Sequence, residues 1–252
     1  MTREEQKITN MDTLTAFSVI ALAALIHASF QLSVSVVTLL SGHSAGKRDN
    51  PHKSLRLVGA FLAGVITTTA LLTFTVLYKV TTLGGWYNST LVWTMLCGVL
   101  VGVGLAVWAL YYRYKRNSGT SLWIPRAFAR FLDKRVKSTT LGAESFSLGL
   151  TTVIAELPFI IAPLAAAALA MASLPLPLQL YGALGYIVIA SFSIFIVTVL
   201  IGSGHNISHI QRWRERNKRF LQFTAGAGLI ILGGFLYVTQ VVTPIVVAGG
   251  TQ

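Results

Sequence analysis

Long apolar blocks alternate along this chain with short polar or basic stretches. The blocks run over residues 14–40, 55–80, 90–112, 145–172, 178–202 and 220–245. Each exceeds 20 residues, and a helix rising about 1.5 Å per residue needs only about 20 to cross a hydrocarbon core roughly 30 Å thick. The pattern predicts an all-α integral membrane protein with six transmembrane helices. The first block is too long for the apolar core of a signal peptide, about 7 to 15 residues, so it reads as a retained span.

The basic residues set the expected orientation. Lys47, Arg48, Lys53 and Arg56 lie between spans one and two. Arg113, Lys115, Arg116, Arg126, Arg130, Lys134, Arg135 and Lys137 follow span three, and Arg212, Arg214, Arg216, Lys218 and Arg219 precede span six. Seventeen of the chain's 20 Lys and Arg therefore fall on one side of the six-span arrangement. Lys and Arg in short loops resist translocation, which predicts a multi-pass protein of the cell (cytoplasmic or inner) membrane with N- and C-termini outside.

Composition agrees with the pattern. At 54% hydrophobic and 11% charged, with mean hydropathy +0.67, the chain has far fewer charges than the roughly 25% of a soluble domain. The net charge of +12 does not point to nucleic acid, because such binding gathers charge on one folded face. Here the charge sits between spans, where anionic lipid is the expected partner.

The organisation reads as one membrane domain over residues 1–252. A first three-helix repeat covers 14–112, an inner linker 113–144, and a second three-helix repeat 145–245. Three is odd, so related halves would enter the bilayer from opposite sides and form a 3+3 inverted repeat. In the linker, Trp123, Ile124, Phe128, Phe131 and Leu132 recur at helical spacing opposite Arg126, Arg130, Lys134 and Arg135. That pattern predicts an amphipathic helix in the headgroup region, or a solvated helix packed on the protein. Gly98 and Gly102 have the spacing that lets membrane helices approach closely and are expected to pack within the bundle.

Glu156 is the most informative single residue. Of eight acids it alone lies deep inside an apolar span, where an ionised carboxylate costs roughly 2.5 to 3.5 kcal/mol on insertion scales and usually faces a cavity or a partner. A protonated, hydrogen-bonded packing role is the alternative. Pro158 and Pro163 follow it, each removing a backbone donor, so span four is expected to be kinked or broken beside the acid. His27 lies mid-span in span one, with Gln31 and Ser35 at i+4 and i+8. Under repeat symmetry, His27 and Gln31 approach Thr152 and Glu156. A His–Glu pair holds a proton or supplies two ligands of a divalent cation; a satisfied packing histidine is the plainer account.

Other signals are weaker. Thr67, Thr68, Thr69 and Thr73 face the same region or satisfy themselves on carbonyls one turn back. His205 and His209, at i and i+4, put two imidazoles on one helical face, a partial site for a zinc-like metal. Gly42-His43-Ser44-Ala45-Gly46 spells a nucleophile elbow, but that motif needs a strand-to-helix turn over a sheet. It follows a membrane helix here, so no enzyme is expected. The single cysteine, Cys97, excludes an intramolecular disulfide.

Ser145-Phe146-Ser147-Leu148-Gly149-Leu150 leads into a proline-bearing, alanine-rich span from Glu156 through Ala168. A basic stretch from Arg212 to Arg219 leads into Phe223 to Gly234 with its Gly-Leu-Ile-Ile-Leu-Gly-Gly core. In these stretches and the six-span layout the chain resembles the LysE/CcdA superfamily of exporters and thiol carriers. The resemblance implies a compact inverted-repeat carrier with its site between spans one and four. Thiol carriers of that group use one cysteine in each of those helices and exchange needs two sulfurs in reach; Cys97 in span three supplies neither. The aspartate-rich motifs of the metal exporters are also missing.

The functional expectation is a secondary transporter or exporter of a small solute or cation, with no bound cofactor beyond proton or divalent cation coupling. Its partners would be the lipid bilayer, the transported solute or cation, and a second copy of the chain in a homo-oligomer. The alternative is a non-transporting membrane scaffold or accessory subunit.

Overall fold

The computed structural model describes residues 11–30, 32–45, 51–82, 89–113, 134–136, 138–203, 212–213 and 216–249. Among them there is no strand, and almost all of these residues are helical. The elements are α1 (Thr13–Ser29), α2 (Leu32–Ala45), α3 (Pro51–Thr82), α4 (Thr90–Arg113), α5 (Gly142–Ala172), α6 (Leu176–Gly202), α7 (Lys218–Tyr237), a π-helical turn (Val238–Val242) and α8 (Thr243–Gly249). Five helical segments among the described residues are long and apolar enough to cross a membrane, and α1 with α2 makes a sixth if the bent pair is one span. These are the helices of a multi-pass membrane protein, and exposed side chains such as Leu71, Met95, Val188, Phe192 and Ile231 present the apolar outer surface a bilayer requires.

The first predicted span is interrupted. α1 ends at Ser29, α2 begins at Leu32, and the two half-helices are bent by 44°. Span four is the one expected to be kinked or broken; α5 is not broken there, running as one helix from Gly142 to Ala172 with Pro158 and Pro163 inside it. Each proline deletes one backbone bond, a loss that membrane helices tolerate where neighbouring helices hold them. The last span absorbs its own proline differently. Before Pro244 the helix widens into a π turn, in which the Thr243 N–H and hydroxyl both donate to the Val238 carbonyl, the hydroxyl at 2.8 Å.

α5 is the hub. Its second half is alanine-rich, with Ala166, Ala167, Ala168 and Ala170 fully buried. Between membrane helices the attraction comes from packing, which favours small residues at the contact. Its most extensive partner is α3. At their crossing a Cβ on Gly149 would strike the Phe61 carbonyl, and one on Gly64 the Phe146 carbonyl. Glycine is therefore required on both sides, and the Ser145 hydroxyl adds a 2.7 Å bond to the Leu57 carbonyl.

α4 packs chiefly on α7, held by Trp108, whose ring stacks on Phe223 with centroids 5.1 Å apart and whose Nε1 donates to the Phe223 carbonyl at 3.1 Å. The close approach on α4 is made by Gly104 against Gly226. Gly98 and Gly102, expected to pack, have open space where a Cβ would stand. Of the linker, residues 113, 134–136 and 138–144 are described; Trp123, Ile124, Arg126, Phe128, Arg130, Phe131 and Leu132 lie outside the described residues.

Candidate functional site

Interrupting a helix inside a membrane exposes backbone groups that water cannot satisfy. The first N–H groups of the second half and the last carbonyls of the first half lose their partners. α1 closes its own end: the Phe30 N–H donates to the His27 carbonyl at 3.1 Å and the Ser29 hydroxyl to the Ile26 carbonyl at 2.6 Å. The start of α2 is closed from outside the span. Glu156, about halfway along α5, places Oε1 at 2.8 Å from the Ser33 N–H and 3.0 Å from the Ser33 hydroxyl, and both donate to it.

Electrostatics favour this placement. The N-terminus of a helix carries roughly half a positive charge, so an acceptor-only carboxylate there answers both the orphan N–H and the dipole. A hydrogen bond to a charged group contributes about 1.5 to 3 kcal/mol, and Glu156 is only 5% exposed, so bulk water supplies little of its compensation. Alongside, the Phe30 and Phe159 rings stack with centroids 5.5 Å apart, closing the break on the side of α5.

His27 is buried and its Nδ1 lies 2.9 Å from the hydroxyl of Tyr186, a fully buried residue of α6. The rings are tilted at 48° with centroids 5.7 Å apart. The first span is thus joined to both other central helices through polar contacts: α1 to α6 through His27 and Tyr186, and α2 to α5 through Ser33 and Glu156.

The expected site residues divide as follows. Glu156 and His27 are both buried among α1, α2, α5 and α6, Glu156 accepting from Ser33 and His27 meeting Tyr186. Thr152 is fully buried, one turn before Glu156, and donates to the Leu148 carbonyl of its own helix at 2.7 Å. Ser35 lies in α2 two residues beyond Ser33. Gln31, His205 and His209 lie outside the described residues. Thr67, Thr68 and Thr73 donate to carbonyls one turn back. Among the described residues no group of three or more His, Cys, Asp and Glu could hold a metal ion.

Ser33 and Tyr186 were not anticipated. The i, i+4, i+8 register drawn from His27 assumes an unbroken helix, and the break after Ser29 changes which residues of the second half face α5. Tyr186 carried a signal, since a buried tyrosine hydroxyl usually finds a partner.

Compared with known protein families, with curated proteins and with solved structures, the chain matches none.

Proposed function

We propose that this chain is a secondary transporter of the cell membrane that moves a small solute or cation through a site at the break of the first span, with Glu156 as its titrating or cation-pairing group. The observation that carries the reading is the Glu156 carboxyl group resting on the N-terminus of α2 at 2.8 Å from the Ser33 N–H. Interrupted helices whose half-helix ends meet ionisable groups within the membrane are a recurring way to build carrier sites, and a buried intramembrane acid marks a functional site by default. Protonating Glu156, or pairing it with a cation, weakens its hold on α2 and so ties site chemistry to the angle between half-helices.

The same reading takes the six spans as a 3+3 inverted repeat with both termini outside, in line with the resemblance to the LysE/CcdA superfamily. Helix pairings support it. A two-fold relation exchanges the broken first span with α5, α3 with α6, and α4 with α7. It therefore requires each pairing to have a counterpart: α3 on α5 with α6 on α1 and α2, and α7 on α1 with α4 on α5. All of these pairings occur.

The test is flux in proteoliposomes with an entrapped pH indicator, across a panel of amino acids and of monovalent and divalent cations. Wild-type protein should couple flux of one of these to proton or cation movement, and Glu156→Gln, folded and monodisperse, should lose that coupling. Unchanged flux in the variant overturns the assignment. Absence of flux in wild type, together with a stoichiometric co-purifying subunit, favours a scaffold.

A further inference from the structure

The Tyr186 hydroxyl and His27 Nδ1 are 2.9 Å apart in a buried setting, and the distance alone allows either to donate. Proton bookkeeping decides between the two arrangements. A phenol has one proton to place and a neutral imidazole has one N–H and one bare nitrogen. Among the described residues, the bond to His27 is the one the structure gives the Tyr186 hydroxyl. If Nδ1 carried the proton and donated, the phenolic proton would be buried without an acceptor, at the full cost of desolvating an unmet donor. If the phenol donates, its proton and Nδ1 are satisfied together, and the donor left over is the Nε2–H of His27, a residue 6% exposed, instead of the O–H of Tyr186, which is 0% exposed.

We infer that Tyr186 is a positioning residue that donates its O–H to His27 Nδ1 and holds the imidazole proton on Nε2. The partner of one ring nitrogen sets what the other offers. Nε2 is then an N–H donor, while Nδ1, with its lone pair engaged, is closed to metal. A divalent cation at Nε2 would have to shift the proton to Nδ1 and strand the tyrosine O–H.

Resting on the carrier reading, the substrate that meets His27 presents an acceptor, a carboxylate, carbonyl or hydroxyl oxygen, and is not a divalent cation ligated by this imidazole. The acid side of the break, where Glu156 Oε1 accepts from Ser33, and the donor side at His27 are then chemically distinct.

The experiment is a two-bond 15N–1H correlation spectrum of protein labelled with 15N-histidine in lipid nanodiscs, with the His27 signals identified by their loss in His27→Gln. The ring connectivity separates the nitrogens, because Nε2 couples to both carbon-bound ring protons and Nδ1 strongly to only one. The expected wild-type result is the proton on Nε2, unchanged when Zn2+ is added. Tyr186→Phe should replace this single pattern with a mixture of tautomers. A proton on Nδ1, protons on both nitrogens, displacement of the His27 signals by Zn2+, or an unaltered spectrum in a folded Tyr186→Phe each overturns the inference. Should Tyr186→Phe fail to fold, the wild-type spectrum and its Zn2+ titration still decide. The spectrum needs no transported solute, so a wrong tautomer leaves the carrier reading standing and a failed flux assay leaves the tautomer standing.

Discussion

The two halves of the first span each begin with an N-terminus closed by a carboxyl group, and the two closures differ in nearly every other respect. At the start of α1, Asp12 accepts the Thr15 N–H at 3.2 Å, three residues along the chain and at an exposed position. At the start of α2, Glu156 accepts from Ser33 across 123 residues of sequence, in the buried interior. Glu144 repeats the local kind at the head of α5, taking the N–H groups of Thr140 at 2.8 Å and Leu141 at 3.1 Å. The chemistry is shared, but a local cap strengthens one helix end that solvent or headgroups could also satisfy. The remote cap joins two helices in the buried interior, so what alters Glu156 also alters the geometry of the span.

The largest effect should come from the contact that sets the register of the remote cap while leaving the local ones alone. Gly149 sits seven residues, about two helical turns, before Glu156, and its Cα faces the α3 backbone with no room for a side chain. Gly149→Leu should force α3 and α5 apart and abolish a monodisperse folded species in size-exclusion chromatography. Gly102→Leu on open α4 surface should behave as wild type. A well-folded Gly149→Leu would show that the crossing does not position Glu156.

Next in size is the cap itself. Glu156→Ala leaves the buried Ser33 N–H without its carboxylate, which should cost about 2 to 3 kcal/mol by the usual penalty for an unmet buried group. Unfolding in detergent should shift to lower denaturant, and hydrogen exchange should speed up at the Ser33 amide while the Thr15 amide is unchanged. Equal exchange at Ser33 before and after substitution would mean that Glu156 is not what satisfies it. Ser33→Ala is a milder version, removing the 3.0 Å hydroxyl bond and keeping the 2.8 Å main-chain bond. Roughly 1 kcal/mol is expected for one side-chain hydrogen bond, with slow exchange at residue 33 retained.

How much of this was legible in sequence follows from where each cause lies. The long apolar helices were legible because block length alone fixes them. Glu156 stood out because a carboxyl among apolar residues needs no structural context to look costly. The break in the first span was not legible, since Phe30, Gln31 and Leu32 include neither glycine nor proline and the group that closes α2 is 123 residues away. Pro158 and Pro163 drew attention to α5 instead, although one missing donor at a time does not interrupt a helix packed on its neighbours. The glycine spacing within α4 suggested a contact, whereas the tight crossing uses one glycine on each of two helices, Gly64 and Gly149, a pairing with no local motif. Ser33 and Tyr186 were missed for the same reason: their importance lies in partners on other helices.

The smallest effect should come from Asp12, and its pH dependence sharpens the contrast with Glu156. Hydrogen bonds from the Thr15 side chain and then its main chain hold the Asp12 carboxyl below its ordinary value. A carboxyl lowered on folding adds stability while it is ionised, above its unfolded pKa of about 3.9, and loses that contribution as pH falls through the lowered folded value. Asp12→Ala should therefore lower the unfolding temperature slightly at neutral pH, and the gap to wild type should close as both are titrated below about pH 4. Because solvent reaches this end of α1, the carrier reading expects Asp12→Ala to leave any flux unaffected at every pH tested. A gap that persists in acid would mean that Asp12 acts through packing and not through its charge. A transport defect would mean that the outlying cap is coupled to the interior one, and the distinction between local and remote closure would fail.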